Sequence, residues 1–221
     1  MKKLLIIQPH SDDALFSAAH LLFDDSYEKE VLTIENNKKR VAEDTKLYEF
    51  LEIPYHHLEV PFEDNSFYSF HKTYKDVNLD NAIEHLVNYF GEDVVSAIRE
   101  EIVSFLEKYM KRAKDDCKIV IPWGVGHPMH IFVRACVESV VEADKLLYYR
   151  DFPHSYKKRA KTQVAEQLKD YELKDSVPVA DFHEAKWELA KKFYKTQSGL
   201  LWFEQGYIAK QLPEEIYVQR S

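Results

Sequence analysis

Histidine and aspartate residues gather in two short segments that lie far apart along the chain. His10, Asp12 and Asp13 form the first segment, and His127 and His130 form the second. Two imidazoles and one carboxylate are the protein ligands of many catalytic zinc sites, in which water takes the fourth position, and the same set suits non-haem Fe2+. Because such a metal ion lowers the pKa of water toward about 7, the two segments together predict metal-assisted hydrolysis.

The aspartate and the histidine of these segments that would not bind the metal are also suited to hydrolysis. An aspartate beside the metal can accept a proton from the attacking water, and a spare histidine can stabilise an oxyanion or protonate a leaving amine. Residue types alone leave plainer interpretations open. Asp12 and Asp13 could simply complement a helix dipole, and His127 and His130 could share one face of a helix without a metal. The joint occurrence of the two segments favours a site.

Each segment directly follows a predicted strand and opens a predicted helix. The apolar runs Lys3–Gln8 and Cys117–Ile121 are typical of buried parallel strands. One helix is predicted over 12–23 with Ser11 as its N-cap, and another from Pro128 to about Val141. Ligands of parallel α/β sheets bind beyond the carboxyl ends of the strands, so the two segments are expected to meet there.

The remaining pattern alternates strands with helices. Further strands are predicted at 30–34, 55–60, 145–150 and 177–182, and further helices at 38–51 and 183–194. An aromatic-rich loop at 62–74 and two helical segments at 79–89 and 94–110 interrupt this alternation. The sequence therefore predicts an α/β fold with a Rossmann-like, mostly parallel sheet flanked by helices. We expect a single domain over 1–221 that carries a helical insertion at about 66–116.

Charge and cysteine content limit the classes of function. The 221 residues include 30 Lys and Arg against 38 Asp and Glu, which gives a net charge of −8. An acidic chain lacks the cationic footprint of nucleic-acid binding, and the basic run at 157–159 is interpreted as a solvated face. Cys117 and Cys136 have no CxxC partner, so they are predicted to be buried thiols in a reducing compartment.

The N-terminal apolar run is predicted to be a strand and not a targeting segment. A secretory signal needs roughly 7–15 apolar residues, and this run stops earlier, with Asp12 and Asp13 close behind. No window approaches the about 20 apolar residues of a membrane span. We therefore expect a cytoplasmic protein.

The other histidines receive separate interpretations. His56 and His57 alternate across a predicted strand, so one is expected in the core and the other on the surface. His20 lies in an apolar helical pattern and is predicted to pack in the core. His154 and His183 receive no assignment from the sequence.

The chain resembles the LmbE-like, PIG-L type family of N-acetylglucosaminyl deacetylases in an ordered set of motifs. Pro9-His10-Ser11-Asp12-Asp13-Ala14 is similar to the Pro/Ala-His-x-Asp-Asp motif of that family, in the form of its bacterial subgroup. Gly124-Val125-Gly126-His127-Pro128-Met129-His130 is similar to its Gly-x-Gly-x-His-x-Asp-His motif. Weaker similarities follow in the same order at 40–44, 60–64, 148–153 and 194–197. The resemblance spans most of the chain apart from about 66–116.

The resemblance implies a role for each chemical position. His10, Asp13 and His130 would bind the metal, with zinc expected and Fe2+ or another divalent ion as the alternative. Asp12 would act as the general base, and His127 would assist the oxyanion or the leaving amine. The implied reaction is hydrolysis of the N-acetyl group of a small amino-sugar-containing molecule or glycoconjugate, which releases acetate and a free amine.

Three departures from the family pattern keep other hypotheses open. Met129 replaces an aspartate that would orient a neighbouring histidine, Arg150 replaces a glutamate beside Asp151, and Ala19-His20 replaces a Gly-Gly pair. Met129 motivates a second hypothesis, in which the chain binds a metal or a sugar on the same fold with impaired catalysis. The third hypothesis is hydrolysis of another amide, because the catalytic groups recognise a carbonyl and not a sugar. The sequence does not fix the oligomeric state.

Overall fold

The described residues form a seven-stranded mixed sheet. The computed structural model describes residues 1–35, 37–58, 81–114, 116–177, 183–197 and 212–220. The strands are β1 (Lys2–Gln8), β2 (Tyr27–Thr33), β3 (Tyr55–His57), β4 (Cys117–Pro122), β5 (Leu146–Tyr149), β6 (Tyr171–Val177) and β7 (Glu214–Gln219). Their order across the sheet is β3-β2-β1-β4-β5-β7-β6. Strands β1 to β5 run parallel, whereas β7 is antiparallel to both β5 and β6. The predicted mostly parallel α/β sheet is therefore confirmed.

Helices cover both faces of this sheet. They are α1 (Asp13–Ser17), α2 (Ala19–Phe23), α3 (Lys38–Phe50), α4 (Ala82–Phe90), α5 (Glu92–Ala113), α6 (Pro128–Glu138), α7 (Lys161–Gln167) and α8 (His183–Phe193). Leu4 and Ile6 of β1 belong to a core with α1, α2, α3 and α8, whereas Leu5 and Ile7 belong to a core with α4, α5 and α6. Because successive strand residues point to opposite faces, the continuous apolar run of β1 contributes to both cores.

Helices α4 and α5 occupy the stretch that is predicted to be an insertion. Gly91 separates them with a φ of +90°, a left-handed conformation that glycine adopts without a steric penalty. Ile98 and Ile102 of α5 pack in the same core as Ile119 of β4, so the helix helps to cover the sheet. The aromatic loop at 62–74 lies outside the described residues, and the assignment of one domain with an insertion stays a prediction.

The single helix predicted after β1 is wrong in two respects. The backbone turns at Ala18, with φ −144° and ψ 33°, and this divides the helix into α1 and α2. The residue at the N-cap position is Asp12 and not Ser11. A contact from the far end of the chain accompanies the division, because the backbone N–H of His20 donates to the carboxylate of Glu214 at 2.9 Å. Such tertiary contacts override local helix propensity.

Strand predictions in the C-terminal half are the least accurate. Strand β6 ends at Val177, where the predicted strand at 177–182 begins, and residues 178–182 lie outside the described ranges. Strand β7 has no counterpart among the strands predicted from the sequence. The side chains of β6 are mostly exposed, so apolar periodicity is a weak signal there. In the N-terminal half, β3 covers 55–57 of the predicted 55–60, and residues 59–60 lie outside the described ranges.

Two further expectations concern the cysteines and the membrane. Cys117 and Cys136 are both buried thiols, as predicted. In the parts of the chain that the structure describes, no helix combines the length and the apolarity needed to cross a bilayer.

Candidate metal centre

The segment with His10, Asp12 and Asp13 and the segment with His127 and His130 lie side by side at one edge of the sheet. The loop after β1 carries His10 and leads to Asp13, and the loop after β4 carries His127 and leads to His130. Strands β1 and β4 are parallel neighbours, and the chain continues from β1 toward β2 on one side and from β4 toward β5 on the other. This change of direction opens a crevice at the carboxyl ends of parallel strands, where such folds bind ligands.

Three potential ligand atoms form a small triangle in this crevice. His10 Nδ1 lies 3.1 Å from His130 Nε2 and 3.2 Å from Asp13 Oδ2, and His130 Nε2 lies 3.3 Å from Asp13 Oδ2. Ligands about 2.0–2.1 Å from a tetrahedral zinc ion lie roughly 3.3 Å from one another. The spacing and chemistry of His10, Asp13 and His130 therefore fit one face of the coordination tetrahedron of a divalent metal.

The third member of this triangle, His130, is oriented by a second carboxylate. Asp151 Oδ1 lies 2.6 Å from His130 Nδ1, and its Oδ2 accepts the backbone N–H of Val125 at 3.1 Å. Burial would lower the pKa of His130, but the charge of Asp13 and hydrogen bonds to Asp13 and Asp151 raise it to about 10. A metal ion binds the neutral form of an imidazole, so metal binding at His130 would be coupled to the loss of a proton.

Asp13 is held as an anion by the same arrangement. Its Oδ2 accepts the backbone N–H of His10 at 2.8 Å in addition to its side-chain contacts with His10 and His130. Burial opposes ionisation, but the charge of His130 and these hydrogen bonds lower the pKa of Asp13 well below its usual value. A buried, ionised carboxylate is the state that a metal ligand requires.

Asp12 lies outside the triangle and is held by different partners. Its backbone has a φ of +146°, a region that costs a non-glycine residue about 1–3 kcal/mol and recurs at functional sites. Its Oδ1 accepts a hydrogen bond from Arg40 at 2.9 Å, and Arg40 also donates to Glu35 at 2.8 Å and to the carbonyl of Ser11 at 3.2 Å. Burial raises the pKa of Asp12 well above its usual value, against the opposing charge of Arg40.

His127 belongs to the loop after β4, called the second loop below, and its ring lies against the triangle. Its ring centroid is 4.6 Å from that of His10 and 5.0 Å from that of His130. The ligand atoms of these three histidines lie within 4.8 Å of one another, so they form an alternative group that could hold a metal. The positions alone allow either His127 or Asp13 to complete a ligand set with the other two histidines.

The side chain of Arg134 stabilises the loop that carries His127. This side chain donates to the carbonyl of Trp123 at 2.6 Å. Gly124 has a φ of +75°, and a Cβ there would lie 3.1 Å from Arg134 Cδ. Gly126 donates its N–H to Gln163 Oε1 at 3.1 Å. The two glycines of this segment thus permit a tight turn directly over a buried guanidinium.

A buried polar network supports the loop that carries His10 and Asp12. Gln8 Oε1 accepts the backbone N–H of Ala14 at 3.0 Å, and Gln8 Nε2 donates to Thr33 Oγ1 and to Asp44 Oδ2, each at 2.6 Å. The other oxygen of Asp44 accepts the hydroxyl of Tyr194 at 2.6 Å. The weaker motifs at 40–44 and 194–197 therefore meet behind the first loop.

Two residues near the site have roles that the sequence does not reveal. Met129 is 2% exposed and packs in the hydrophobic core beneath α6. His154, which received no assignment, lies with its ring centroid 4.6 Å from His127 and 5.2 Å from His130. Its position after the 148–153 motif is the one sequence feature that links it to the site.

Three other histidines with described side chains have surroundings that differ from those predicted from the sequence. His56 and His57 are both partly exposed, so the expected division into core and surface is wrong; His56 contacts Glu30 and His57 contacts the backbone of Glu35. His20 is largely buried as expected, but it pairs with Glu214 at 2.7 Å and does not pack as an apolar side chain. The side chain of His183 lies outside the described residues.

Comparisons with known proteins agree with the architecture. No family model matches the chain, and no curated protein matches it. Among solved structures, it is similar to the zinc-inhibited form of teicoplanin deacetylase Orf2, with 14% identity and a TM-score of 0.58 over 98% of this chain and 97% of that chain. It is also similar to a conserved protein from Thermus thermophilus, with 12% identity and a TM-score of 0.47 over 98% and 94% of the two chains. The first likeness shows that this chain shares the fold of a deacetylase over nearly its whole length.

Proposed function

We propose that this protein is a metal-dependent N-deacetylase of the LmbE-like, PIG-L type, which removes an acetyl group from a small amino-sugar-containing molecule or glycoconjugate. The observation that carries the proposal is the triangle of His10, Asp13 and His130, whose ligand atoms lie 3.1–3.3 Å apart beside the separate carboxylate of Asp12. The fold shared with teicoplanin deacetylase Orf2 and the ordered motifs support the same activity. Zinc is the expected metal, because two imidazoles and one carboxylate form a common catalytic zinc set.

Each residue of the site would have a distinct task. His10, Asp13 and His130 would hold the metal, which when bound polarises the acetyl carbonyl and lowers the pKa of water. Asp12 would accept a proton from the attacking water as the new C–O bond forms. Arg40, which donates to Asp12 at 2.9 Å, would hold that carboxylate in place.

His127 would act at the other end of the scissile bond. Its ring contacts His10 and His130 from the second loop, so it borders the same crevice. The C–N bond breaks with the electron pair on nitrogen, and the amine requires a proton to leave. A protonated His127 would supply that proton, and the products are acetate and the free amine.

The binding-protein alternative loses much of its motivation in the structure. It rests on Met129, which replaces a carboxylate expected to orient a histidine. Met129 packs in the core, whereas Asp151 contacts the inner nitrogen of His130 at 2.6 Å. The chain therefore has an orienting carboxylate for His130 despite the substitution. Hydrolysis of a different amide stays as the second candidate, because the described site groups act on a carbonyl.

Metal analysis and a substrate panel test the proposal together. The purified protein, loaded with zinc or Fe2+, is incubated with N-acetylated amino sugars and their conjugates, and with amides that lack a sugar. We expect about one bound metal and release of acetate from an amino-sugar substrate. Bound metal without turnover would favour the binding protein, and turnover of sugar-free amides alone would favour the other hydrolase. Failure to bind any divalent metal would refute both enzyme hypotheses.

A further inference from the structure

His154 extends the histidine cluster beyond the residues that the proposed reaction uses. It lies in the turn after β5, and its partly exposed ring is 4.6 Å from the ring of His127 and 5.2 Å from that of His130. Its backbone carbonyl packs against the second loop, since a Cβ on Gly126 would lie 3.2 Å from this oxygen. The ring is therefore fixed beside the candidate metal centre on the side of His127.

A neighbouring lysine determines which nitrogen of His154 carries the proton. Lys157 Nζ lies 3.4 Å from His154 Nδ1. An ammonium group can only donate hydrogen bonds, so Nδ1 must accept and therefore has no proton. The proton of the neutral ring is then on Nε2.

The Nε2–H group of His154 is available to a ligand. Within the described ranges, no hydrogen bond involves this nitrogen; Lys157 occupies the other one. A neutral N–H donor beside a metal centre is suited to an oxygen that gains negative charge during reaction. It is poorly suited to deliver a proton, because a neutral imidazole is a very weak acid.

We propose that His154 is a catalytic residue that donates a hydrogen bond from Nε2 to the acetyl oxygen in the transition state, with Lys157 as the positioning residue that sets its tautomer. The proposal rests on the deacetylase function proposed above. In this mechanism, two histidines of the cluster have different roles. His154 stabilises the oxygen, and His127 protonates the nitrogen.

The tautomer can be measured without any turnover. Histidine nitrogen shifts in 15N-labelled, zinc-loaded protein, assigned by comparison with His154→Gln, are expected to show Nε2–H and unprotonated Nδ1 for His154. Lys157→Met is expected to remove this preference, whereas Lys158→Met, at the exposed next position, leaves it unchanged. A proton on Nδ1, or on both nitrogens, at pH 7 in the unmutated protein overturns the proposal.

Kinetics of two His154 variants test the catalytic role. His154→Phe keeps a ring without the donor, and we expect kcat to fall about 100-fold, as for loss of one oxyanion donor, with KM and zinc content little changed. His154→Gln retains an N–H donor and should recover part of the loss. An unchanged kcat in His154→Phe overturns the proposal. A protein that hydrolyses no acetamide would instead refute the proposed function, and the catalytic role of His154 with it, while the tautomer measurement still decides the part played by Lys157.

Discussion

Asp151 and His130 form a buried pair in which Oδ1 of the carboxylate lies 2.6 Å from Nδ1 of the imidazole. This contact fixes the ring so that Nε2 points to His10 and Asp13, at 3.1 Å and 3.3 Å. The second oxygen of Asp151 accepts the N–H of Val125, so one carboxylate connects the loop after β5 to the loop after β4. Carboxylates in this position increase the basicity of a ligating histidine and fix its tautomer.

Replacing Asp151 with Asn should weaken metal binding. The amide can accept from only one of the two donors, His130 or Val125, and its NH2 group would then face the other. We expect zinc affinity to fall about 10- to 100-fold, measured by competition with a chromophoric chelator. Asp175→Asn, at an exposed position of β6, is the control. Equal affinities for the two variants would show that Asp151 does not support the metal.

Replacing Asp12 with Asn should separate binding from chemistry. The amide cannot accept the proton of water, so we expect kcat to fall about 10²- to 10⁴-fold. The proposed ligands are untouched, and Arg40 keeps its contact with Glu35, so zinc content should remain near that of the unmutated protein. Acetate release and metal analysis on the same sample measure both quantities. Asp25→Asn, at an exposed position, controls for loss of an aspartate, and full activity in Asp12→Asn would remove this residue from the mechanism.

Two glycines allow a matched test of the second loop. Gly91 and Gly124 both have positive φ, at +90° and +75°, but an added Cβ meets nothing within 4 Å at Gly91 and lies 3.1 Å from Arg134 Cδ at Gly124. Gly91→Ala should cost about 1–3 kcal/mol from backbone conformation alone. Gly124→Ala should lose roughly a further 1–3 kcal/mol through crowding and should also lower zinc affinity. Urea unfolding compares the two variants, and equal losses would mean that Arg134 moves aside freely.

The buried carboxyl of Asp44 should make stability depend on pH. Burial raises its pKa to about 7, against hydrogen bonds from Tyr194 and Thr33 that favour the anion. Below about pH 4 the group is protonated in both the folded and the unfolded chain. Between about pH 4 and 7 only the unfolded chain loses the proton, so the free energy of unfolding falls as pH rises, by at most about 4 kcal/mol. Above pH 7 this contribution is constant.

Comparison with Asp44→Asn isolates that contribution. The variant cannot titrate at this position, so the stability of the unmutated protein relative to Asp44→Asn should decrease from pH 4 to pH 7. Urea unfolding at several pH values measures the difference, and Asp170→Asn, at an exposed position, should show no such trend. A pH-independent difference between the unmutated protein and Asp44→Asn would mean that Asp44 has the same pKa in both states.

The strands that carry the candidate site are predictable because their signals are local. Strands β1 and β4 are short apolar runs, each followed at once by a histidine-bearing loop. Residues of β1 face both cores, which is why nearly every position is apolar. The parallel arrangement then follows from general rules for alternating strands and helices.

The features that escape prediction depend on distant contacts. His154 reaches the cluster because the turn after β5 folds over the loop of His127, and no sequence spacing encodes this approach. The division of the first helix at Ala18 coincides with the contact between His20 and Glu214. The left-handed backbone of Asp12 contradicts its local preference, as expected where function and not propensity selects a conformation.

The order of the strands also constrains how the protein is made. Strand β7 follows every other described strand in the sequence, yet it lies between β5 and β6 in the sheet. While residues 214–219 are still unsynthesised, β5 has a bare hydrogen-bonding edge, and β6 has no partner in the described sheet. Unpaired edges are where nascent chains associate wrongly. The segments that carry the candidate metal site are therefore all synthesised before the strand that pairs with this edge of their sheet.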